Sequence, residues 1–212
     1  MKNNTIIILD FGSQYTQLIA RRVREIGVFS VVLPCDVSIE KIESMNPSGI
    51  ILSGGPETVT QANTSKINKE LFNSQIPLLG ICYGMQTMAQ ELGGMVINSD
   101  KREFGHANIK RVEDSILFDN VNFSNDTLDV WMSHGDKVDQ LPDSFSTIAE
   151  SDNCAIAAFQ NKEKLWFGLQ FHPEVTHTDQ GSKILSNFVY TICNCEKNWE
   201  TSDIIESMVS SV

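Results

Sequence analysis

No apolar run in this chain approaches the ~20 residues that a membrane-crossing helix needs. The run nearest the start, Ile6-Ile7-Ile8-Leu9, is broken by Asp10, so it reads as a first buried strand and not as a signal peptide. Positive charge is scarce too. Sixteen Lys and Arg against 27 Asp and Glu leave a net charge of −11, which argues against a nucleic-acid partner, because that needs a basic face. Cysteine is sparse and odd in number: Cys35, Cys82, Cys154, Cys193 and Cys195 form no disulfide framework. Cys193-Asn194-Cys195 is spaced too tightly for a zinc pair and has no second pair to complete a site, so no metal is expected. There is no Gly-x-x-x-x-Gly-Lys phosphate loop, and no Gly-x-Gly-x-x-Gly after the first strand. Repeats and low-complexity segments are absent as well. What remains is an ordinary globular composition, 212 residues with 41% hydrophobic and 20% charged, enough for one sizeable domain and expected in the cytoplasm.

Against that background one cysteine stands out. Pro77-Leu78-Leu79-Gly80-Ile81-Cys82-Tyr83-Gly84-Met85-Gln86 is a short apolar run ending in Gly-x-Cys-x-Gly. It predicts a buried strand turning sharply into a helix, a nucleophile elbow with sulfur in place of a hydroxyl. The turn aims a helix N-terminus at the side chain, which favours a thiolate and later an oxyanion. A buried structural cysteine is the plainer alternative. A nucleophile also needs a base and an orienting group. Of His106, His134, His172 and His177, only His172 combines a strand-end position with a nearby carboxylate, Glu174 across Pro173.

Gly80-Ile81-Cys82-Tyr83-Gly84-Met85-Gln86 with His172-Pro173-Glu174 resembles the triad of class I glutamine amidotransferases. Three further segments narrow the match: Leu9–Glu25 resembles the opening of the branch of that family found in GMP synthetases, Ser53-Gly54-Gly55-Pro56 resembles the family's oxyanion loop, and Phe171–Thr178 extends the triad motif as in that branch. The resemblance runs from about Ile6 to about Trp199. It implies an α/β fold and removal of the glutamine amide nitrogen as ammonia. Catalysis would fall to Cys82, His172 and Glu174, and the oxyanion hole to the Gly55 and Tyr83 N–H groups. Glutamine would be held by Gln86 through its side-chain amide and by Ser133, His134, Gly135 and Asp136. The resemblance implies no cofactor on this chain, ATP and Mg²⁺ belonging to a partner, the ATP-pyrophosphatase (synthetase) domain, in cis or in trans. His177 and Thr178 would face that partner. Two alternatives stay open: another cysteine hydrolase of the same fold, such as a γ-glutamyl hydrolase, and a catalytically weak regulatory module.

Strands at Ile6–Asp10, Phe29–Leu33, Gly49–Ser53 and Pro77–Ile81 alternate with helices at Gln14–Ile26, Ser38–Met45, Ser65–Phe72 and Met85–Leu92. That pattern predicts a mostly parallel central sheet with helices on both faces. Shorter strands at Asn108–Val112, Thr127–Met132, Ser146–Glu150, Ala155–Gln160 and Leu165–Phe171 predict a smaller antiparallel extension. A last helix is expected over Gln180–Cys193. Residues 1–194 read as one amidotransferase domain, and 195–212 as a linker and helix start leading toward a synthetase domain.

Overall fold

All four residues of Ile6–Leu9 are buried, so the strand carrying them must be covered on both faces. The computed structural model, which describes residues 3–59 and 67–199, shows what covers it. Along the chain come β1 (Asn3–Asp10), α1 (Thr16–Glu25), β2 (Phe29–Pro34), α2 (Ile39–Met45), β3 (Pro47–Leu52), β4 (Leu78–Ile81) and α3 (Tyr83–Glu91). Then follow β5 (Met95–Arg111), β6 (Thr127–Gln140), β7 (Ser146–Ser151), β8 (Ala158–Asn161), β9 (Trp166–Leu169) and α4 (Gly181–Ser186).

The period-2 alternation of β1 sorts its side chains into two cores. Ile6 and Ile8 pack with Ile19, Ala20 and Val23 of α1 and Ile184 and Leu185 of α4. Ile7 and Leu9 pack on the other face with Ile42 of α2 and Met85 and Met88 of α3. Both faces are therefore closed by helices. Burying such a side chain contributes about 1.5–3 kcal/mol.

The nine strands form one sheet in the order β2-β1-β3-β4-β9-β8-β7-β5-β6. Four pairings are parallel and four antiparallel. The sheet is thus mixed, and its antiparallel half is larger than the small extension expected. The excess lies in β5 and β6, which begin or end well beyond Asn108 and Met132 and pair from Met95↔Gln140 to Lys110↔Thr127.

Two helices also differ from expectation. In place of a helix over Ser65–Phe72, the described part of that segment holds a 3₁₀ turn at Lys69–Asn73, started by Asn68 accepting from the Glu70 N–H at 3.0 Å. The last helix is α only to Ser186 and continues as a wider π turn over Asn187–Ile192. There the Asn187 amide donates to the Leu117 and Asp119 carbonyls at 2.9 and 2.8 Å. Residues beyond 194 stay against the body as far as Trp199. The Asn198 and Trp199 N–H groups donate to the Gly27 carbonyl, and Asn4 bonds the Glu196 backbone. The helix start expected after that lies outside the described residues. No helix among the described residues is long and apolar enough to cross a membrane.

Candidate active site

β4 ends at Ile81 and α3 begins at Tyr83, leaving Cys82 alone to turn the chain. It does so at φ 51°, ψ −108°, a left-handed backbone that costs a non-glycine residue of order 1–3 kcal/mol. The flanking glycines make the turn possible. A Cβ on Gly80 would fall 2.7 Å from the Met85 backbone, and one on Gly84 would strike the Leu52 carbonyl. The Cys82 N–H is anchored to the Leu169 carbonyl at 2.7 Å, so the elbow is braced by the neighbouring strand β9. The thiol stands before the first N–H groups of α3, where the helix end carries partial positive charge. Sγ lies 3.5 Å from the Ser133 carbonyl oxygen, and Gln170 Nε2 donates toward it at 3.7 Å.

His172 follows β9, and β9 is the parallel neighbour of β4 with Ile81 opposite Leu169. Its Nδ1 meets Glu174 Oε1 at 2.7 Å, which leaves Nε2 for the thiol side. Both residues are buried. Burial alone would push the imidazole down. The Glu174 charge, with hydrogen bonds to Cys82 and Glu174, outweighs it and lifts His172 from 6.5 to about 10. His172 is therefore an imidazolium at neutral pH. Glu174 Oε2 finds no partner among the described residues, so its charge acts mainly on the ring.

The loop carrying this pair is held from two sides. Arg22 Nε donates to the Glu174 carbonyl at 2.9 Å. Thr178 Oγ1 donates to the His172 carbonyl at 2.6 Å and accepts the Trp131 N–H at 3.0 Å. Neither role was legible in the sequence. Arg22 reads as part of a solvated helix face, and Thr178, expected to face a partner, is buried. His177 is exposed and lies against the rings of Trp131 and His106.

Gly55, Cys82, Tyr83, Gln86, Ser133, His134, Gly135 and Asp136 line one cleft of about 620 Å³. A second lobe of about 420 Å³ is lined by Ser13, Gln14, Tyr15 and His172 and shares Gly55, Cys82 and Ser133 with the first. The thiol stands at the boundary between the two. The Gly55 loop is fixed by Ser53 Oγ, which accepts the Phe11 N–H at 3.1 Å and donates to the Gly54 carbonyl at 2.9 Å. A Cβ on Gly55 would sit 2.9 Å from the Phe11 carbonyl oxygen.

The substrate-side residues are brought together, but not all in the roles expected. Gln86 Nε2 donates to the Asp136 carbonyl at 2.7 Å and to Gln170 Oε1 at 3.1 Å. Its amide hydrogens are thus occupied, and Oε1 is the atom left to offer the cleft. The His134 ring is turned inward, with Nδ1 at 2.9 Å from the Asp136 carbonyl and Nε2 at 3.1 Å from Glu103 Oε2. Burial outweighs the Glu103 charge and holds this imidazole below its usual range. His134 therefore faces the cleft through its backbone. The Asp136 carboxylate accepts from Asn98 at 3.0 Å and from Thr58. Ser133–Asp136, which reads as a polar turn, lies within β6. Gln170, Glu103, Asn98 and Thr58 were missed. Gln170 had one visible signal, an amide between the apolar residues Leu169 and Phe171.

A strained cysteine elbow, a buried His–Glu pair and the Gly55 loop thus meet at the carboxyl ends of the parallel strands. The model for "Glutamine amidotransferase class-I" matches residues 7–192. The chain belongs to the class I glutamine amidotransferase family. It is 53% identical over 99% of its length to a GMP synthase [glutamine-hydrolyzing] of Colwellia psychrerythraea and 56% identical over 98% to that of Ruthia magnifica. It spans 41% and 40% of those relatives' lengths. Among solved structures, a proposed GMP synthase subunit from Thermoplasma acidophilum is 30% identical with a TM-score of 0.75, over 90% of this chain and 94% of that one. A glutamine amidotransferase from Thermotoga maritima, 23% identical with a TM-score of 0.68 over 90% of this chain and 84% of that one, shares the fold.

Proposed function

We propose that this amidotransferase is the glutamine-hydrolysing half of a GMP synthetase, supplying ammonia to an ATP-dependent synthetase domain that converts XMP to GMP. The observation that carries the reading is the His172–Glu174 pair at 2.7 Å beside the Cys82 elbow. The likeness to GMP synthases along nearly the whole chain supports this acceptor.

The chemistry follows from the charges. Cys82 attacks the glutamine side-chain carbonyl through its sulfur, with the thiol proton held by His172, whose charged form the Glu174 carboxylate favours. The oxyanion takes hydrogen bonds from the Gly55 and Tyr83 N–H groups, each donor of this kind being worth about 3 kcal/mol. His172 gives its proton to the amide nitrogen, the C–N bond breaks, and ammonia leaves the γ-glutamyl thioester. Neutral His172 then takes a proton from water as its oxygen attacks the thioester. Collapse expels the Cys82 sulfur, releases glutamate and leaves the thiol proton with the Cys82–His172 pair as at the start. Glu174 holds the imidazole orientation throughout.

A glutamine analogue with an electrophile at the side-chain carbonyl should label Cys82 in a 1:1 ratio and stop glutamate release. Labelling that persists in Cys82→Ala would overturn the assignment.

A further inference from the structure

Behind the cleft, three chain segments bring together side chains that the proposed hydrolysis does not use. Glu103 of β5 and His134 of β6 are direct cross-strand partners, and Cys154 lies in the turn after β7, the other neighbour of β5. A carboxylate oxygen, an imidazole nitrogen and a sulfur lie within 4.8 Å of one another. We propose that Glu103, His134 and Cys154 form a binding site for a single zinc-class divalent cation.

The hydrogen bonds around the cluster give the reason. His134 Nδ1 faces the Asp136 backbone carbonyl, which only accepts, so the Nδ1 proton is fixed there. Nε2 then faces Glu103 Oε2 at 3.1 Å. With its proton on Nδ1, the ring turns the Nε2 lone pair toward the carboxylate, where a metal would take it. Glu103 and His134 already have outer support of the kind metal sites use. The Asp136 carbonyl orients the His134 ring. Asn153 and Ser151 donate to Glu103 Oε1 at 3.3 and 3.4 Å, leaving Oε2 for the site. Cys154 Sγ donates to the Ile156 carbonyl at 3.3 Å. One nitrogen, one oxygen and one sulfur suit zinc, with a fourth position for water. Ligand atoms around tetrahedral zinc lie about 3.3–3.8 Å apart; Nε2 and Oε2 are already at 3.1 Å, and the sulfur, within 4.8 Å of the other two ligand atoms, has at most a gap of roughly 1 Å to close. The exposed Asp152-Asn153 turn gives an entry path. On binding, the thiol proton leaves to solvent.

Because Cys82 and His172 are themselves a potential zinc trap, the test uses the 212-residue chain carrying Cys82→Ser. Titrated with Zn²⁺ alone against a chromophoric chelator, it should hold one ion per chain. Co²⁺ in its place should give a thiolate-to-metal charge-transfer band in the near ultraviolet. Cys154→Ser should abolish the band, and Glu103→Gln should weaken binding by more than the ~10–100-fold typical of losing an outer-shell partner. Far-ultraviolet circular dichroism checks that each variant is folded, and Glu103→Gln, which keeps the side-chain shape, decides the matter if Cys154→Ser is not. Absence of stoichiometric zinc in the Cys82→Ser chain, or an unchanged affinity in folded Glu103→Gln, overturns the site.

Discussion

Gln86 Nε2 donates to the Asp136 carbonyl at 2.7 Å, so the helix behind the nucleophile holds the strand in front of it. Gln86→Glu keeps the shape but places an acceptor against two acceptors, the Asp136 carbonyl and Gln170 Oε1. The expected result is a loss of about 1–3 kcal/mol of stability together with a higher KM for glutamine. Gln86→Met should lose less stability. Urea unfolding and glutamate release measure both, and identical curves for Glu and wild type would show that the bridge carries no weight.

Strain at the elbow can be read by substitution. Cys82→Ala and Cys82→Gly should both be inactive, but only glycine adopts φ 51° without penalty. Cys82→Gly should therefore unfold at higher denaturant than Cys82→Ala, by up to the ~1–3 kcal/mol of such strain, despite glycine's usual entropic cost.

Glu174→Gln should keep the fold and lose turnover, by as much as ~10⁴ in kcat where the orienting acid is essential. Its pH signature is more telling. The His172 value is raised to about 10 from 6.5, so the stabilisation this gives is complete below pH 6.5 and is lost as pH rises through about 10. The stability gap between wild type and Glu174→Gln should thus be widest near pH 6.5 and close toward pH 10. The alkaline limb of kcat/KM should move from near pH 10 toward neutrality in the variant. A limb that stays in place would mean that another group holds the imidazole charge.

If ammonia is passed to a synthetase domain, the glutaminase rate should rise when that domain, XMP and ATP are added to this chain. Glutamate release in each mixture measures it, and equal rates throughout would leave a self-sufficient glutaminase. Ordering of Ser133–Asp136 is not the expected source of the rise. That segment is already held by Gln86, Asn98 and Thr58.

The meeting of Cys82, His172 and Glu174 was legible because its signals are local. Gly80 and Gly84 bracket Cys82, and Pro173 separates His172 from Glu174 by one residue. The long ribbon of β5 and β6 was not, for a definite reason. Buried positions in β6 alternate without a break through Leu128, Val130, Met132, His134, Asp136 and Val138, as a one-sided strand requires. His134 and Asp136 occupy apolar slots of that pattern, so the hydrophobic period stops at Met132 although the strand does not. Their burial is offset by partners on other segments, Glu103, Asn98 and Thr58, and no local pattern shows those. The Glu103–His134–Cys154 group was hidden likewise, since its members lie too far apart along the chain to form a zinc spacing.

The strand pairing of β4 with β9 has a further consequence. Cys82 follows β4 directly and His172 comes just past the end of β9, so the ~4.8 Å interval between paired strands gives the scale of their separation. The sheet acts as a ruler. What the chain does between the two residues can lengthen, shorten or be cut, as at the Lys162–Lys164 turn, without resetting the distance over which the proton moves.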